Sequence, residues 1–178
     1  MMCEYQGKKD LPIVSMLIAL LAVIPAHAMG KADEKRLDEV AKRGTHVMPF
    51  DLEKTTHVFS KTDQGGLQQV VVKDKSDTEQ IKLIRAHLSE ISEDFKRGDF
   101  SKPERIHGEG MPGLAAIKSA KPGQIKIEYS ELPDGAQIAY STQSPQLIDA
   151  IHHWFDAQLS DHARHAVPGH FHPHMHHE

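Results

Sequence analysis

The feature that most constrains the fold of this chain is a strand–turn–strand–helix pattern that occurs twice. In the first copy, HVFSKTDQGGLQQVVVKD predicts two strands on either side of a turn at residues 63–66. Asp77 then begins a helix, with Gln80 three residues later in a capping-box pattern. Apolar side chains at helical spacing predict one buried helix face: Ile81, Ile84, Leu88 and Ile91.

The second copy follows residues 98–120, which we interpret as a loop with a short helical piece at 114–119. QIKIEYS and AQIAYST alternate as strands around Pro133-Asp134-Gly135, where proline presets φ and glycine accepts a positive φ. Ser144 is a helix N-cap followed by Pro145 at the first helical position. The apolar stripe of this helix consists of Ile148, Ile151, Phe155 and Leu159.

These patterns predict an α+β fold of the type ββα-ββα, a four-stranded antiparallel sheet with two helices packed on one face. The other face then needs cover from the N-terminal helical segment, from residues 98–120 or from a partner. At one offset, Asp77 aligns with Ser144 and Val71 with Ile138. Residues 55–97 and 123–163 are therefore either an internal duplication or two independent units of the same type.

The N-terminus predicts export. Lys8 and Lys9 precede the apolar run MLIALLAVI, and Ala26-His27-Ala28 supplies a cleavage site, so we expect a signal peptide at 1–28. The alternative is an uncleaved membrane anchor, but the run is shorter than the roughly 20 residues of a spanning helix. The expected mature protein is periplasmic or secreted. It comprises a helical segment at 29–44, one domain at 45–165 and a flexible tail at 166–178.

Charge and cysteine content exclude several classes of protein. The formal net charge is −4 and the basic residues are dispersed, which argues against nucleic acid, or a membrane after signal cleavage, as a partner. The one cysteine, Cys3, lies in the predicted signal peptide, so packing alone must hold the exported domain together. The chain has no G-x-G-x-x-G, G-x-S-x-G or H-E-x-x-H motif, and we expect no enzymatic activity.

The C-terminal tail is rich in residues that ligate metals. The chain contains 14 histidines and ends in HFHPHMHHE. Imidazole binds Cu²⁺, Zn²⁺ and Ni²⁺, and a thioether adds affinity for Cu⁺. We expect these tail residues to bind a transition metal, copper first and zinc or nickel next, for capture, buffering or delivery: His170, His172, His174, Met175, His176 and His177. The alternative is a solvated end without a role.

A second metal site is predicted within the domain. THVMPF and IHGEGMPG place a histidine near a methionine in loops, and a further histidine opens the first strand. Histidine with methionine and without cysteine suits copper outside the cytoplasm. The candidate ligands are His46, Met48, His57, His107 and Met111. Each histidine could instead bond a loop carbonyl, and spacing alone does not choose among the five residues.

A third interpretation needs no metal. Imidazoles titrate near pH 6.5, so a histidine-rich surface gains positive charge in mild acid. The protein would then be a non-enzymatic interaction module or a pH-responsive module, with structural histidines and a periplasmic protein partner on the open sheet face.

Several segments together resemble a family of small exported bacterial proteins that often carry the label aspartate carbamoyltransferase. The resemblance covers nearly all of residues 45–163 and is carried by MPFDLEKTTHVF, GDFSKPERIHGEGMPGL and WFDAQLSDH. The resemblance implies that the family has histidines at the positions of His57, His87, His107 and His162. The family label implies carbamoyl transfer as a remote alternative function. The Ser-Thr-Arg-Thr phosphate loop of the larger carbamoyltransferases does not occur in this sequence.

Overall fold

The computed structural model describes residues 32–169 of the chain. The predicted signal peptide and the histidines from His170 onward lie outside these residues. The α-helices are α1 (Glu34–Gly44), α2 (Thr78–Lys96), α3 (Ser101–His107), α4 (Leu114–Lys118) and α5 (Pro145–Asp161). The strands are β1 (Thr55–Thr62), β2 (Gly65–Val72), β3 (Lys126–Leu132), β4 (Gly135–Ser141) and β5 (Ala166–Pro168), and a single 3-10 turn, Leu52–Lys54, precedes β1.

The strands form one five-stranded mixed sheet in the order β3-β4-β2-β1-β5. Two hairpins, β1–β2 and β3–β4, join through antiparallel pairing of β2 with β4, where Gln69 lies opposite Gln137. After α5 the chain returns to the sheet edge, and β5 pairs parallel to β1 with Ala166 opposite His57. The end of the last helix is therefore held beside the start of the first strand.

The core lies between one face of the sheet and helices α2 and α5. Alternate strand residues such as Val70, Ile138 and Tyr140 point into it because side chains alternate between the two faces of a strand. Trp154 and Phe155 of α5 are fully buried against them. Helices α1 and α4 pack on α5 instead of covering the opposite sheet face.

The start of α2 follows the capping prediction in part. The Asp77 side chain accepts a hydrogen bond from the Gln80 backbone N–H at 3.2 Å. The reciprocal bond of a capping box is replaced, because Gln80 Oε1 accepts from the backbone N–H of Asp51 at 2.7 Å. Gln80 thereby ties the segment before β1 to α2.

The α+β class is confirmed, but four antiparallel strands with two helices is wrong in detail. The fifth strand is only three residues long and contains Pro168, so no alternating pattern marks it. It occupies the start of the segment that the sequence predicts as a tail. Helix α3 lies in the segment that was predicted as a loop. It contains Pro103, which the first turn of a helix tolerates since its N–H groups have no intrahelical partner. Within residues 32–169, no helix combines the length and apolar character needed to cross a membrane.

Candidate functional site: a buried histidine cluster

Four histidines from four separate elements line one cavity in the core. His57 comes from β1, His87 from α2, His107 from the end of α3 and His162 from the C-cap of α5. Each is at most 7 % exposed. The cavity has a volume of about 40 Å³. At roughly 10–15 Å³ per water, this is room for about three or four water molecules or for one ligated ion. A core that encloses four imidazoles is unusual, because buried polar groups are normally few.

A carboxylate orients one of these rings. Asp161 Oδ2 lies 2.8 Å from Nδ1 of His107, and Nε2 of His107 lies 3.1 Å from Nε2 of His162. An ionised carboxylate only accepts hydrogen bonds, so Nδ1 of His107 carries a proton. Nε2 of the neutral His107 ring is therefore an acceptor, and His162 donates to it. The carboxylate sets the tautomers of two consecutive imidazoles.

Arg36 of α1 anchors the carboxylate. Its Nε lies 3.1 Å from Asp161 Oδ1, and its Nη2 lies 2.5 Å from Oδ2 and 2.7 Å from the carbonyl oxygen of His107. Burial alone would raise the pKa of Asp161, but hydrogen bonds from His107 and Arg36 outweigh it and lower that pKa. Asp161 is therefore an anion at neutral pH, and Arg36 fixes it with two bonds.

His57 packs on the face of the His162 ring. The two rings are stacked, with centroids 5.2 Å apart and planes 3° from parallel. The backbone N–H of His57 donates to the carbonyl of His165 at 2.8 Å, which ties β1 to the end of α5. The ring nitrogen Nδ1 of His57 is buried without a hydrogen-bond partner in the described part of the chain. An unpartnered buried nitrogen costs about 1–3 kcal/mol, so it calls for an explanation.

Burial keeps the cluster neutral. It lowers the pKa of His57 to about 3 and that of His87 to about 4. It also lowers the pKa of His107, and it lowers that of His162 well below the ordinary value, with neighbouring histidines adding to the effect. The rings are thus neutral at neutral pH, the form in which imidazole ligates metals.

The spacing of the two Nε2 atoms resembles that of metal ligands. Two nitrogens bound to tetrahedral zinc at 2.0–2.1 Å are about 3.3 Å apart, and those of His107 and His162 are 3.1 Å apart. The Asp161–His107 bond is the carboxylate–histidine contact that commonly supports a metal ligand. Over residues 32–169, however, no three His, Cys, Asp or Glu side chains are arranged to hold an ion. A third ligand would require a ring to turn.

The structure brings together only part of the set of ligands predicted in the domain. His57, His107 and Met48 all line the cavity. Met111 is buried in the core but does not line it. His46 is exposed on another surface, where its Nδ1 lies 3.1 Å from Thr45 Oγ1. The predicted tail ligands, from His170 onward, fall outside the described residues.

The sequence prediction did not select four residues that complete the site: Arg36, His87, Asp161 and His162. One signal was available for His87, which falls on the apolar stripe between Ile84 and Leu88. The family resemblance implied both His87 and His162. The contact of Asp161 with Arg36 joins residues far apart in the chain, and spacing along the sequence does not reveal such a contact.

Two further histidines, His152 and His165, have ordinary structural partners. His152 Nε2 lies within hydrogen-bond distance of the carbonyl oxygens of Thr62 and Gly65, at 3.0 and 2.9 Å. His165 Nε2 lies 2.7 Å from Glu53 Oε1. The His152 ring fastens α5 to the β1–β2 hairpin, and the His165 ring fastens the segment after α5 to the 3-10 turn before β1, as a structural interpretation of histidine predicts.

The fold and the site together define an α+β protein with a buried histidine cluster supported by a carboxylate. Comparison of the chain with protein-family models, with curated proteins and with solved structures finds no match. The function must therefore be argued from the site itself.

Proposed function

We propose that this protein binds a transition-metal ion at the buried cluster, with His107, His162 and His57 as imidazole ligands. The proposal rests chiefly on the pair of Nε2 atoms 3.1 Å apart, one of whose rings is oriented by Asp161. Binding would require the Nε2 proton of His162 to move to Nδ1 of the same ring, so that the Nε2 lone pairs of both neutral rings face the ion. The unpartnered Nδ1 of His57 supplies the third lone pair after the ring turns.

Copper is the favoured ion, with zinc and nickel next. Three neutral imidazoles suit Cu²⁺, Zn²⁺ and Ni²⁺ alike. Met48 also lines the cavity, and its thioether would favour Cu⁺ as a fourth ligand. Because the chain has no cysteine after Cys3, the methionine thioether is the soft ligand available to accompany the imidazoles.

The tail histidines would serve as the first point of capture in the periplasm or outside the cell. Interrupted histidines with one methionine bind several ions weakly and exchange them, whereas a buried site releases its ion slowly. In this proposal the tail gathers the ion, and the cluster stores it or holds it for delivery.

Truncation separates the two sites. We would measure metal stoichiometry and affinity by elemental analysis and calorimetry on residues 29–178 and on residues 29–169. The shorter form keeps β5 and Gly169, whose N–H donates to the Phe59 carbonyl at 2.9 Å. It should retain one tight equivalent of metal.

Substitutions then locate the tight equivalent. His162→Ala should abolish it in the 29–169 form, whereas His153→Ala, an exposed histidine of the same helix, should leave it unchanged. Loss of all binding on truncation would restrict metal chemistry to the tail. If neither form bound metal, the proposal would fail, and a protein-interaction or pH-responsive module would be the better explanation of the histidines.

A further inference from the structure

A basic pocket lies where the end of α1 meets α3, apart from the histidine cluster. It has a volume of about 430 Å³ and is lined by Glu39, Lys42, Arg43, His46, Val47 and Arg105. A volume in this range accommodates a small molecule. Three permanent cations and an imidazole therefore face one carboxylate.

The positive charge of this pocket is largely uncompensated. Among the described residues, Glu39 forms an ion pair with Arg43 alone, at 3.7 Å, and both side chains are nearly half exposed. Across residues 32–169, Lys42 and Arg105 make neither an ion pair nor a side-chain hydrogen bond, although most other cations of the domain are paired. Since the whole chain has a net charge of −4, the patch does not reflect a generally basic composition.

The backbone around the pocket does not oppose an anion. The carbonyl end of a helix carries partial negative charge, which would repel one. Here the carbonyl oxygens of Ala41, Arg43 and Gly44 are occupied by the N–H groups that follow the helix, with the His46 N–H bonding Arg43 at 3.1 Å. The last carbonyl groups of α1 are thus satisfied by backbone N–H groups of the turn that follows it, which reduces their repulsion of an anion in the pocket.

Two of the basic side chains are held in place. Arg43 Nη1 donates to the carbonyl of Ile106 at 3.4 Å, which fixes α1 against α3. The Thr45 hydroxyl donates to the carbonyl of Lys42 at 2.9 Å, so it can only accept from Nδ1 of His46. Nδ1 of His46 therefore carries a proton.

We propose that this pocket binds a doubly charged phosphate group, as inorganic phosphate or as a small phosphate monoester. Arg105 and Lys42 would contact the oxygens directly, because guanidinium and ammonium groups without partners are the natural donors for phosphate. Arg43 would complete the positive environment, and the His46 ring would form part of the pocket wall. The ligand would be exchangeable, since the cations are exposed.

The proposal is tested with inorganic phosphate on residues 29–169 in the presence of a chelator, so that the result does not depend on metal binding. Chemical shifts of backbone amides are followed at low ionic strength, with sodium chloride at matched ionic strength as the salt control. Saturable shifts should centre on the end of α1 and on α3. Arg105→Gln and Lys42→Gln should each weaken binding at least about fivefold, consistent with the loss of one charged hydrogen bond.

The control variant is Lys82→Gln, which removes the same charge from an exposed site on α2. It should leave the affinity for phosphate unchanged. Equal weakening by all three variants, or shifts that follow chloride as well as phosphate, would overturn the proposal, because both outcomes indicate unspecific attraction. A parallel titration with glycerol phosphate decides the source: tighter binding assigns the pocket to monoesters, and equal affinity assigns it to the free ion.

Discussion

His57 is a histidine where the packing alone would favour an apolar residue. Its ring is 4 % exposed, lies between Phe50 and the His162 ring, and has no hydrogen-bond partner for Nδ1 among the described residues. A buried polar atom in this condition destabilises the folded state, so its presence suggests a role other than stability. In the proposed site that role is ligation.

Replacing His57 with leucine should therefore stabilise the metal-free protein. His57→Leu is expected to raise the free energy of unfolding by about 1 kcal/mol at pH 7.5 in urea denaturation, while removing tight metal binding. His152→Leu is the contrast, because Nε2 of His152 contacts two carbonyl oxygens, and it should lower stability by about 1 kcal/mol. A similar destabilisation by both variants would show that His57 is an ordinary core residue.

Asp161 acts on the metal through His107. Asp161→Asn keeps an acceptor for Nδ1 of His107 but removes the negative charge that makes the ring a stronger ligand. The affinity for metal, measured by competition with a chromophoric chelator, should fall about 10–100-fold. Asp156→Asn on the same helix, where Asp156 pairs with Lys61 at 2.5 Å, should leave that affinity unchanged. Equal affinities for the two variants would remove Asp161 from the site.

The helices and strands that were predicted from the sequence are those whose formation depends on local sequence patterns. The helix from Thr78 to Lys96 and both hairpins follow from caps, stripes and turns. Strand β5 and helix α3 were not predicted, because three residues with a proline and a short helix with an internal proline have no periodic signal. The site was predicted only as far as His57, His107 and Met48, since the other contacts depend on tertiary packing.

The proposed duplication agrees better in the helices than in the strands. Asp77 and Ser144 both precede the first residue of a helix, and Ile84 and Ile151 are both fully buried. Val71 and Ile138, which align at the same offset, differ: Ile138 is fully buried, whereas Val71 lies between the buried Val70 and Val72 and points to the opposite face. The duplication remains a hypothesis. If the strands of the two units are aligned with a shift of one residue relative to the alignment of the helices, buried strand residues fall opposite buried strand residues again.

The contact of α4 with α5 gives a test at the same scale. Gly113, with φ of +79°, is the N-cap residue of α4, and a Cβ there would lie 2.0 Å from the carbonyl oxygen of Ala150. Gly113→Ala should lower the free energy of unfolding by about 2–4 kcal/mol, because backbone must move and the new residue is strained. Gly110→Ala, which meets nothing within 4 Å, should change it by at most about 0.5 kcal/mol. Urea midpoints that do not differ would mean that α4 packs loosely on α5.

For the whole molecule, the buried histidines make folding depend on pH. The folded-state pKa of His57 is about 3 and that of His87 about 4, whereas both titrate near 6.5 in the unfolded chain. Below pH 6.5 the unfolded state therefore binds protons that the folded state does not, and stability falls as the pH falls. The loss begins near pH 6.5 and continues to about pH 4 for His87 and to about pH 3 for His57.

The metal-free 29–169 form should thus lose stability sharply in mild acid. Each of these two histidines contributes a loss of about 1.4 kcal/mol on going from neutral pH to pH 5.5, or about 3 kcal/mol together. Urea denaturation at pH 7.5 and at pH 5.5 measures this loss of unfolding free energy. His57→Leu should make the loss smaller by about 1.4 kcal/mol, the share that His57 contributes. Stability that is level over this range would show that the cluster takes up protons in the folded state. The rings would then be solvated, and the neutral lone pairs on which the proposed metal site depends would be lost in mild acid.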